Sequence, residues 1–126
     1  MNITHLDHLV LTVVDIARTC DFYGKLLGIE IITFNENRKA LKVGNQKINL
    51  HQSGQELVPC ARRPVPGSAD FCFVVEEDIE EVTKHLLSKG IEIELGPVMR
   101  TGVSGPMTSL YFRDPDGNLI EISRYR

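Results

Sequence analysis

Apolar residues recur at every second position in the first segment of the chain, Leu6–Val14. Leu9, Leu11 and Val13 lie two residues apart, and this period of two predicts a β-strand. Further along, apolar side chains recur at spacings of three and four within Ile16–Leu27. Such spacings place them on one face of a helix. The chain therefore opens with a predicted strand and then a predicted amphipathic helix.

The predicted helix has a start signal and a stop signal. Asp15 stands at the N-cap position, and Gly28 follows the last turn, where a residue that adopts positive φ easily is favoured. Three strands are predicted next, with a hairpin turn at Gly44-Asn45 between the last two. Their predicted bounds are Glu30–Phe34, Arg38–Val43 and Gln46–Gln52.

The same order of elements occurs a second time. The tetrapeptide Gly-Ile-Glu-Ile is found at Gly28–Ile31 and again, 62 residues later, at Gly90–Ile93. A duplicated unit must bury its apolar face, and its own copy is the nearest partner. We therefore expect an α+β fold of two βαβββ units, and any site between the copies would draw on both halves. The second copy predicts a strand, a helix and three strands at Asp70–Val75, Asp78–Lys89, Ile91–Leu95, Thr108–Arg113 and Asn118–Arg124.

Two segments fall outside these elements. The last hairpin is offset by 72 residues instead of 62, and the extra residues lie in Gly96–Pro106, which holds three glycines and two prolines. We predict a loop there, and long ordered loops are often functional. Residues 53–68 are predicted to be an irregular linker. The chain is thus expected to be a single domain, 1–126, with units at about 4–52 and 69–126.

Composition and charge narrow the classes of function. The 126 residues suffice for one domain, and 42% hydrophobic with 25% charged residues is ordinary for a globular protein. The net charge of −3 gives no electrostatic reason to expect a nucleic acid or a membrane surface as partner. No stretch approaches the roughly 18 apolar residues of a membrane span, and no signal peptide is recognisable. Three widely spaced cysteines favour a reducing, cytoplasmic setting.

Polar residues collect on one face of the predicted combined sheet. The repeat makes His8 equivalent to Asp70 and Asn49 equivalent to Glu121, and His51 follows Asn49 by two residues on the same face. Each residue alone is more typical of a structural or solvated position. Together, imidazole and carboxylate groups on one concave surface are typical of a divalent-metal site, and the pattern therefore predicts one.

Three segments of the sequence resemble one known family. The segments Asp7–Val13, Phe22–Gly28 and Phe112–Glu121 are similar to motifs of the vicinal oxygen chelate superfamily. That group includes glyoxalase I, fosfomycin-resistance thiol transferases, extradiol dioxygenases, methylmalonyl-CoA epimerase and bleomycin-binding proteins. The resemblance covers essentially the whole chain and is greatest to small lactoylglutathione-lyase-like proteins. It implies a cupped, incompletely closed mixed sheet with the helices outside.

The resemblance also implies a divalent metal ion, namely Zn, Ni, Fe or Mn. By this resemblance, His8 corresponds to the family's metal ligand in the first strand, and Glu121 corresponds to its metal ligand in the last strand. The family's usual second histidine is replaced by Asp70, and a frequent Glu or Gln is replaced by Asn49, with His51 nearby. Two interpretations stay open. Either Asp70 and His51 complete the ligand set, or the site has lost its metal.

Several functions follow from this resemblance. The first is a metal-dependent lyase or isomerase of glyoxalase type, acting on a small oxygen-bearing substrate chelated by the ion. Glu121, or Asp70 if it is not a ligand, would then move the proton, and Asn49, Arg100 and Tyr111 would hold the substrate. The alternatives are a metal-free ligand- or drug-binding protein, a dioxygenase of the same fold, and, more weakly, a structural or regulatory protein. The expected partners are a small-molecule substrate and, as in many members of the family, a second copy in a homodimer.

Overall fold

The computed structural model describes all residues from 1 to 126. The chain divides into two compact units, Met1–Pro66 and Gly67–Arg126. Each unit contains a four-stranded mixed sheet and one helical segment, and the same order of elements is found in both. The predicted α+β class with two βαβββ repeats is confirmed. Neither helix has the length and apolar character that crossing a membrane requires.

Unit one forms a sheet in the order β1-β4-β3-β2. Strands β1 and β4 are parallel, whereas the other neighbouring pairs are antiparallel. The helical segment starts as α1 and continues as a π-helical turn. The bounds are β1 His8–Val13, α1 Ile16–Cys20, π-helical turn Asp21–Leu26, β2 Glu30–Phe34, β3 Arg38–Val43 and β4 Gln46–Gln52.

Unit two repeats this topology with the order β5-β8-β7-β6. The first and last strands, β5 and β8, are again parallel neighbours. Strand β6 lies at the edge and pairs only with β7. The bounds are β5 Asp70–Val74, α2 Ile79–Ser88, β6 Leu95–Gly102, β7 Gly105–Arg113 and β8 Leu119–Tyr125.

Each unit has its own apolar core on one face of its sheet. The strand residues in these cores share one parity, as the alternation in the sequence predicts, and the helical segments supply the others. The buried apolar side chains include Leu11, Val13, Tyr23, Leu41, Ile48 and Leu50 in unit one and Ile79, Leu86, Leu110, Phe112, Ile120 and Ile122 in unit two.

The first helical segment is less regular than predicted. Asp15 caps it, since its carboxylate accepts from the Arg18 N–H, and Gly28 ends it with a φ of +75°. Between them only Ile16–Cys20 is α-helical. The rest is wound more widely, as the bond from Leu27 N–H to the Phe22 carbonyl oxygen shows. A continuous α-helix over Ile16–Leu27 was therefore the wrong prediction for its second half, although the whole segment is helical.

The predicted loop Gly96–Pro106 is also corrected by the structure. These residues form the paired strands β6 and β7, joined at Val103-Ser104. The strand predicted at Ile91–Leu95 is wrong as well, because β6 starts only at Leu95. Proline is tolerated at a sheet edge and at a bulge, and the register shifts between Leu95 and Val98. An edge strand can therefore look like a loop in sequence.

The turn Asp114-Pro115-Asp116-Gly117 forms as predicted between β7 and β8. The Asp114 carboxylate accepts from the backbone N–H groups of Asp116 and Asn118 and from the Asn118 amide, at 2.8–2.9 Å. Asn118 is fully buried, and its own side-chain oxygen accepts from the Ala69 N–H at 2.9 Å. The family-like motif is thus used here to fasten the start of β5 to the β7–β8 turn.

Candidate functional site

The polar face of unit two is organised around Glu121. In the parallel register of β5 and β8, Glu121 lies opposite Cys72, and in the antiparallel register it lies opposite Tyr111. The Ser123 hydroxyl donates to Glu121 Oε1 over 3.2 Å. Ser123 also lies 2.6 Å from the Ser109 hydroxyl, and both serines are fully buried. A buried hydroxyl pair therefore supports a carboxylate that is itself only partly buried.

Tyr111 and Arg100 extend this network along the same face. The Arg100 Nε donates to the Tyr111 hydroxyl at 2.9 Å, and the guanidinium carbon lies 5.4 Å from the centre of the phenol ring. Burial raises the pKa of Tyr111, the Arg100 hydrogen bond lowers it, and the adjacent Glu121 carboxylate raises it. The net result is a raised pKa, so the phenol keeps its proton at neutral pH. The structure thus brings together three residues predicted from sequence for the site.

Cys72 also belongs to this network. The residue is exposed, and its thiol donates to the Ser123 hydroxyl over 3.2 Å. Partial burial of the sulfur raises its pKa, the Ser123 bond lowers it and Glu121 raises it. The thiol is therefore held in its protonated form.

Asp70 shares the face with Glu121 but stands outside the network. It pairs with Leu119 in the register, two residues before the Cys72–Glu121 pair. The carboxylate is exposed and contributes to a raised pKa of Arg113, whose main partner is Glu94 at 3.0 and 3.1 Å. Asp70 remains available as an oxygen donor.

In unit one, His8 forms a close pair with Asp7. The His8 Nδ1 lies 2.7 Å from Asp7 Oδ1, and both side chains are substantially exposed. The histidine bond is the largest cause of a lowered pKa for Asp7. Because the ionised carboxylate only accepts, it places the imidazole proton on Nδ1 and leaves Nε2 as the free lone pair.

The structure does not bring His51 close to His8. His8 pairs with Lys47 in the β1–β4 register, whereas His51 pairs with Thr12, four positions further along both strands. At about 3.3 Å per residue this separates the two backbones by about 13 Å. The predicted second imidazole therefore belongs to a different part of the face.

His51 instead contacts Arg38, a residue that the sequence reasoning missed. The Arg38 Nη2 donates to His51 Nε2 at 3.5 Å, and His51 is 6% exposed. Burial lowers the pKa of His51 and the guanidinium lowers it further. The predicted turn Gly44-Asn45 could have revealed this neighbour, since a two-residue turn pairs Val43 with Gln46 and the same register extends toward Arg38 and His51.

Asn49 is as deeply buried as His51. It is 5% exposed and lies opposite Val10 on one side and Ala40 on the other. Neither the Asn49 side-chain oxygen nor the His51 Nδ1 has a hydrogen-bond partner. Buried polar atoms in folded proteins nearly always have one. These two atoms are therefore buried hydrogen-bonding groups on this face whose capacity is unused.

Comparison with known proteins agrees with this architecture. The sequence profile of the Glyoxalase/Bleomycin resistance protein/Dioxygenase superfamily matches residues 5–122. The chain belongs to this superfamily. The resemblance inferred from its motifs is thereby confirmed.

Similar proteins are found in bacteria and in a fungus. Virulence protein STM3117 of Salmonella typhimurium (strain LT2) is 56% identical over 125 residues, which are 99% of this chain and 87% of that protein. Its crystal structure has a TM-score of 0.97 and full coverage of both chains. Glyoxalase domain-containing protein RDO1 of Mycosarcoma maydis is 51% identical, covering 100% of this chain and 71% of that protein. The structure of integron cassette protein VCH_CASS1 from the mobile metagenome of V. cholerae is 53% identical with a TM-score of 0.96, covering 100% of this chain and 98% of that one.

This superfamily commonly binds divalent metal ions. Only some of the predicted donor groups in this chain suit such an ion. His8 fits, because metal-binding histidines usually donate their other ring N–H to a carboxylate, as His8 does to Asp7. Glu121 and Asp70 offer hard oxygen donors. His51 does not fit, because a guanidinium already occupies its Nε2 side. No group of three or more His, Cys, Asp or Glu side chains that could hold one ion is found in the chain.

Proposed function

We propose that the protein is a metal-dependent enzyme of glyoxalase type, a lyase or isomerase that moves a proton on a small substrate with neighbouring oxygen atoms. The observation that carries this proposal is the network of Glu121, Tyr111 and Arg100 on one face of unit two. It combines a carboxylate, a protonated phenol and a permanent cation. These are the groups that proton abstraction next to a carbonyl requires.

Glu121 is the proposed base. It takes a proton from the substrate carbon beside the carbonyl and returns it to the neighbouring position of the product. Ser123 donates to one carboxylate oxygen and so fixes the orientation of the side chain. The burial of Ser123 and Ser109 gives the base a rigid support.

Tyr111 and Arg100 are the proposed groups for the substrate oxygen. Because the pKa of Tyr111 is raised, the phenol is a hydrogen-bond donor at neutral pH. The developing oxyanion gains from a preorganised donor beside a cation, and removing one such donor typically costs about a hundredfold in rate. Asn49, with its buried unpartnered oxygen, is the proposed acceptor for a substrate hydroxyl in unit one.

His8 and Glu121 are the proposed ligands of a divalent ion, and Asp70 is a further candidate. When bound, the ion would supply Lewis-acid polarisation of the substrate oxygens. Asp7 would keep the His8 tautomer that leaves Nε2 free. Zinc, nickel, iron and manganese all accept this mixture of imidazole and carboxylate.

Hydrogen–deuterium exchange tests the proton transfer even while the product is unidentified. Small 2-oxoaldehydes, 2-oxoacids and α-hydroxyketones are incubated with the protein in D2O, and deuterium at the carbon beside the carbonyl is followed by NMR. We expect exchange with at least one class and its loss in Glu121→Gln. Glu92→Gln is the matched control, because Glu92 is an exposed glutamate of the same unit. Equal exchange in both variants would overturn the role of Glu121, and oxygen uptake in the same assay would indicate dioxygenase chemistry instead.

A second candidate is a metal-free binding protein for a drug or metabolite. Bleomycin resistance proteins are part of the superfamily, and the unpartnered polar atoms of Asn49 and His51 favour this candidate. It predicts that ligand affinity is unchanged by a chelator and by His8→Ala. A chelator-sensitive affinity would exclude it.

A homodimer in the cytoplasm is the proposed setting. Strands β1 and β5 each lie at a sheet edge, where unpaired backbone groups invite another chain. Leu9, Val10 and Val74 on these strands are exposed apolar side chains. Three free cysteines agree with a reducing compartment. Light scattering should give twice the chain mass of 14.2 kDa, and a monomer would contradict the dimer.

A further inference from the structure

Two cations on the polar face of unit one lie against the same aromatic ring. The Lys47 Nζ is 3.5 Å and the Arg38 guanidinium carbon 4.8 Å from the centre of the Phe34 ring. Strands β2, β3 and β4 each contribute one of these residues. The ring gives both cations a defined position, because cations are attracted to an aromatic face.

Neither cation forms an ion pair with an acidic side chain. Lys47 contributes to the lowered pKa of Asp7, although the two charged groups lie beyond ion-pair distance. Arg38 is only partly exposed. Its planar fork matches two oxygen atoms of a carboxylate or phosphate from solution.

A buried donor lies next to this pair of cations. Arg38 has only donors to offer, so its contact with His51 Nε2 places the imidazole proton on Nδ1. That Nδ1–H is buried and has no partner. An unpartnered buried donor is costly, and an acceptor oxygen in its vicinity would remove the cost.

A small cleft gives access to this region. It has a volume of about 130 Å³, and Arg38, His51, Gln55 and Leu57 are among its lining residues. Since one water takes about 30 Å³, the cleft is large enough for a small oxyanion. Gln52, which also lines the cleft, bonds to the backbone of Val14 and Ile16. Lys47 is not among the lining residues and approaches Arg38 across the Phe34 ring.

We propose that unit one carries an anion-binding subsite, in which Arg38 holds the carboxylate or phosphate group of an organic ligand and His51 Nδ1 donates to one of its oxygens. Lys47 adds positive charge from the Phe34 ring without lining the cleft. The sequence pattern predicts His51 as a metal ligand, and this subsite gives it a different role. The subsite deepens the proposed function by specifying an anionic substrate. It nevertheless depends only on residues of unit one, so it stands or falls independently of Glu121.

NMR titration of the histidine ring nitrogens tests the subsite directly. Inorganic phosphate and acetate are added in separate titrations at constant ionic strength, and His51→Gln assigns the His51 signals among the four histidines. We expect a saturable shift of His51 Nδ1 with at least one of the two anions. A response to phosphate alone indicates a phosphate-bearing ligand, and a response to acetate indicates that carboxylates are accepted.

Variants separate a specific subsite from general charge attraction. Arg38→Gln should weaken the anion affinity about tenfold, which corresponds to about 1.4 kcal/mol. Lys47→Gln should weaken it less, because Lys47 does not line the cleft. Lys25→Gln is the matched control, because Lys25 is an exposed helical lysine of the same unit paired with Asp21. Arg38→Lys keeps the positive charge but lacks the planar fork. Its anion affinity should lie between those of wild type and Arg38→Gln, provided that its spectrum shows a folded protein. The proposal would be overturned if neither anion shifted the His51 Nδ1 signal. It would also be overturned if Lys25→Gln weakened the anion affinity as much as Arg38→Gln does.

Discussion

Glu121 lies directly opposite Cys72 in the parallel register that joins β8 to β5. Ser123 contacts both side chains, donating to the carboxylate and accepting from the thiol. The corresponding pair in unit one is Asn49 opposite Val10. The repeat deduced from the sequence is therefore reproduced residue by residue, and the reactive members of the pair occur only in unit two.

The first prediction concerns the reactivity of Cys72. Burial and the Glu121 carboxylate both raise the pKa of this thiol, against the opposing Ser123 bond. Cys72 should therefore react slowly with iodoacetamide at neutral pH despite its exposure. Glu121→Gln removes the negative charge, so the pH midpoint of alkylation should move down. Exposed Cys60 serves as the internal control, and an unchanged midpoint for Cys72 would contradict the contact.

The second prediction concerns the support of His8 by Asp7. Asp7→Asn removes the carboxylate that orients the imidazole, and the loss of such a partner typically weakens metal affinity about 10- to 100-fold. Competition with a fluorescent chelator measures this affinity. Asp21→Asn, which changes an exposed aspartate of the same unit, should leave the affinity unchanged. Equal effects of the two substitutions would mean that the pair has no specific role.

The third prediction concerns stability in acid. The pKa of His51 is lowered in the folded protein from its ordinary value of 6.5. The unfolded chain therefore binds a proton at His51 as the pH falls below about 6.5, while the folded protein does not, and the free energy of unfolding decreases. As the pH is lowered, the urea concentration at the unfolding midpoint should decrease less steeply in His51→Gln than in wild type. His5→Gln, at an exposed histidine, should retain the wild-type slope, and a wild-type slope in His51→Gln would refute the assignment.

The fourth prediction concerns the turn between β7 and β8. Asn118 is fully buried and links Asp114 to the Ala69 backbone. Asn118→Ala leaves these groups without partners, at about 1–3 kcal/mol for each unsatisfied group. The variant should therefore unfold at clearly lower temperature in calorimetry. Asn2→Ala, at an exposed terminal residue, should be neutral, and an unchanged melting temperature for Asn118→Ala would show that the motif is not structural.

The sequence predicted the strands best where alternation and turn residues agree. Strands β2, β3 and β4 have the predicted bounds, because each is a short run bounded by turn residues. The hairpin of β6 and β7 was missed because an edge strand accepts glycine and proline. The π-helical turn Asp21–Leu26 was missed because its apolar spacing also suits an α-helix.

The candidate site was predictable in composition but not in grouping. The sequence placed Glu121 on the polar face and made Tyr111 a candidate substrate contact, and the structure shows the two as neighbours. The Arg38–His51 contact depends on which strands pair and in which register. Alternation alone contains no information on that register. His51 was therefore grouped with His8, although the fold separates them.

Elemental analysis by X-ray fluorescence, on protein purified without a chelator, tests the central proposal most directly. The proposal predicts a stoichiometric divalent ion in wild type and in His51→Gln, and its loss in His8→Ala and Glu121→Gln. An ion that persists undiminished in the His8→Ala, Glu121→Gln double variant would contradict it. So would a wild-type protein that takes up no divalent ion even when one is supplied.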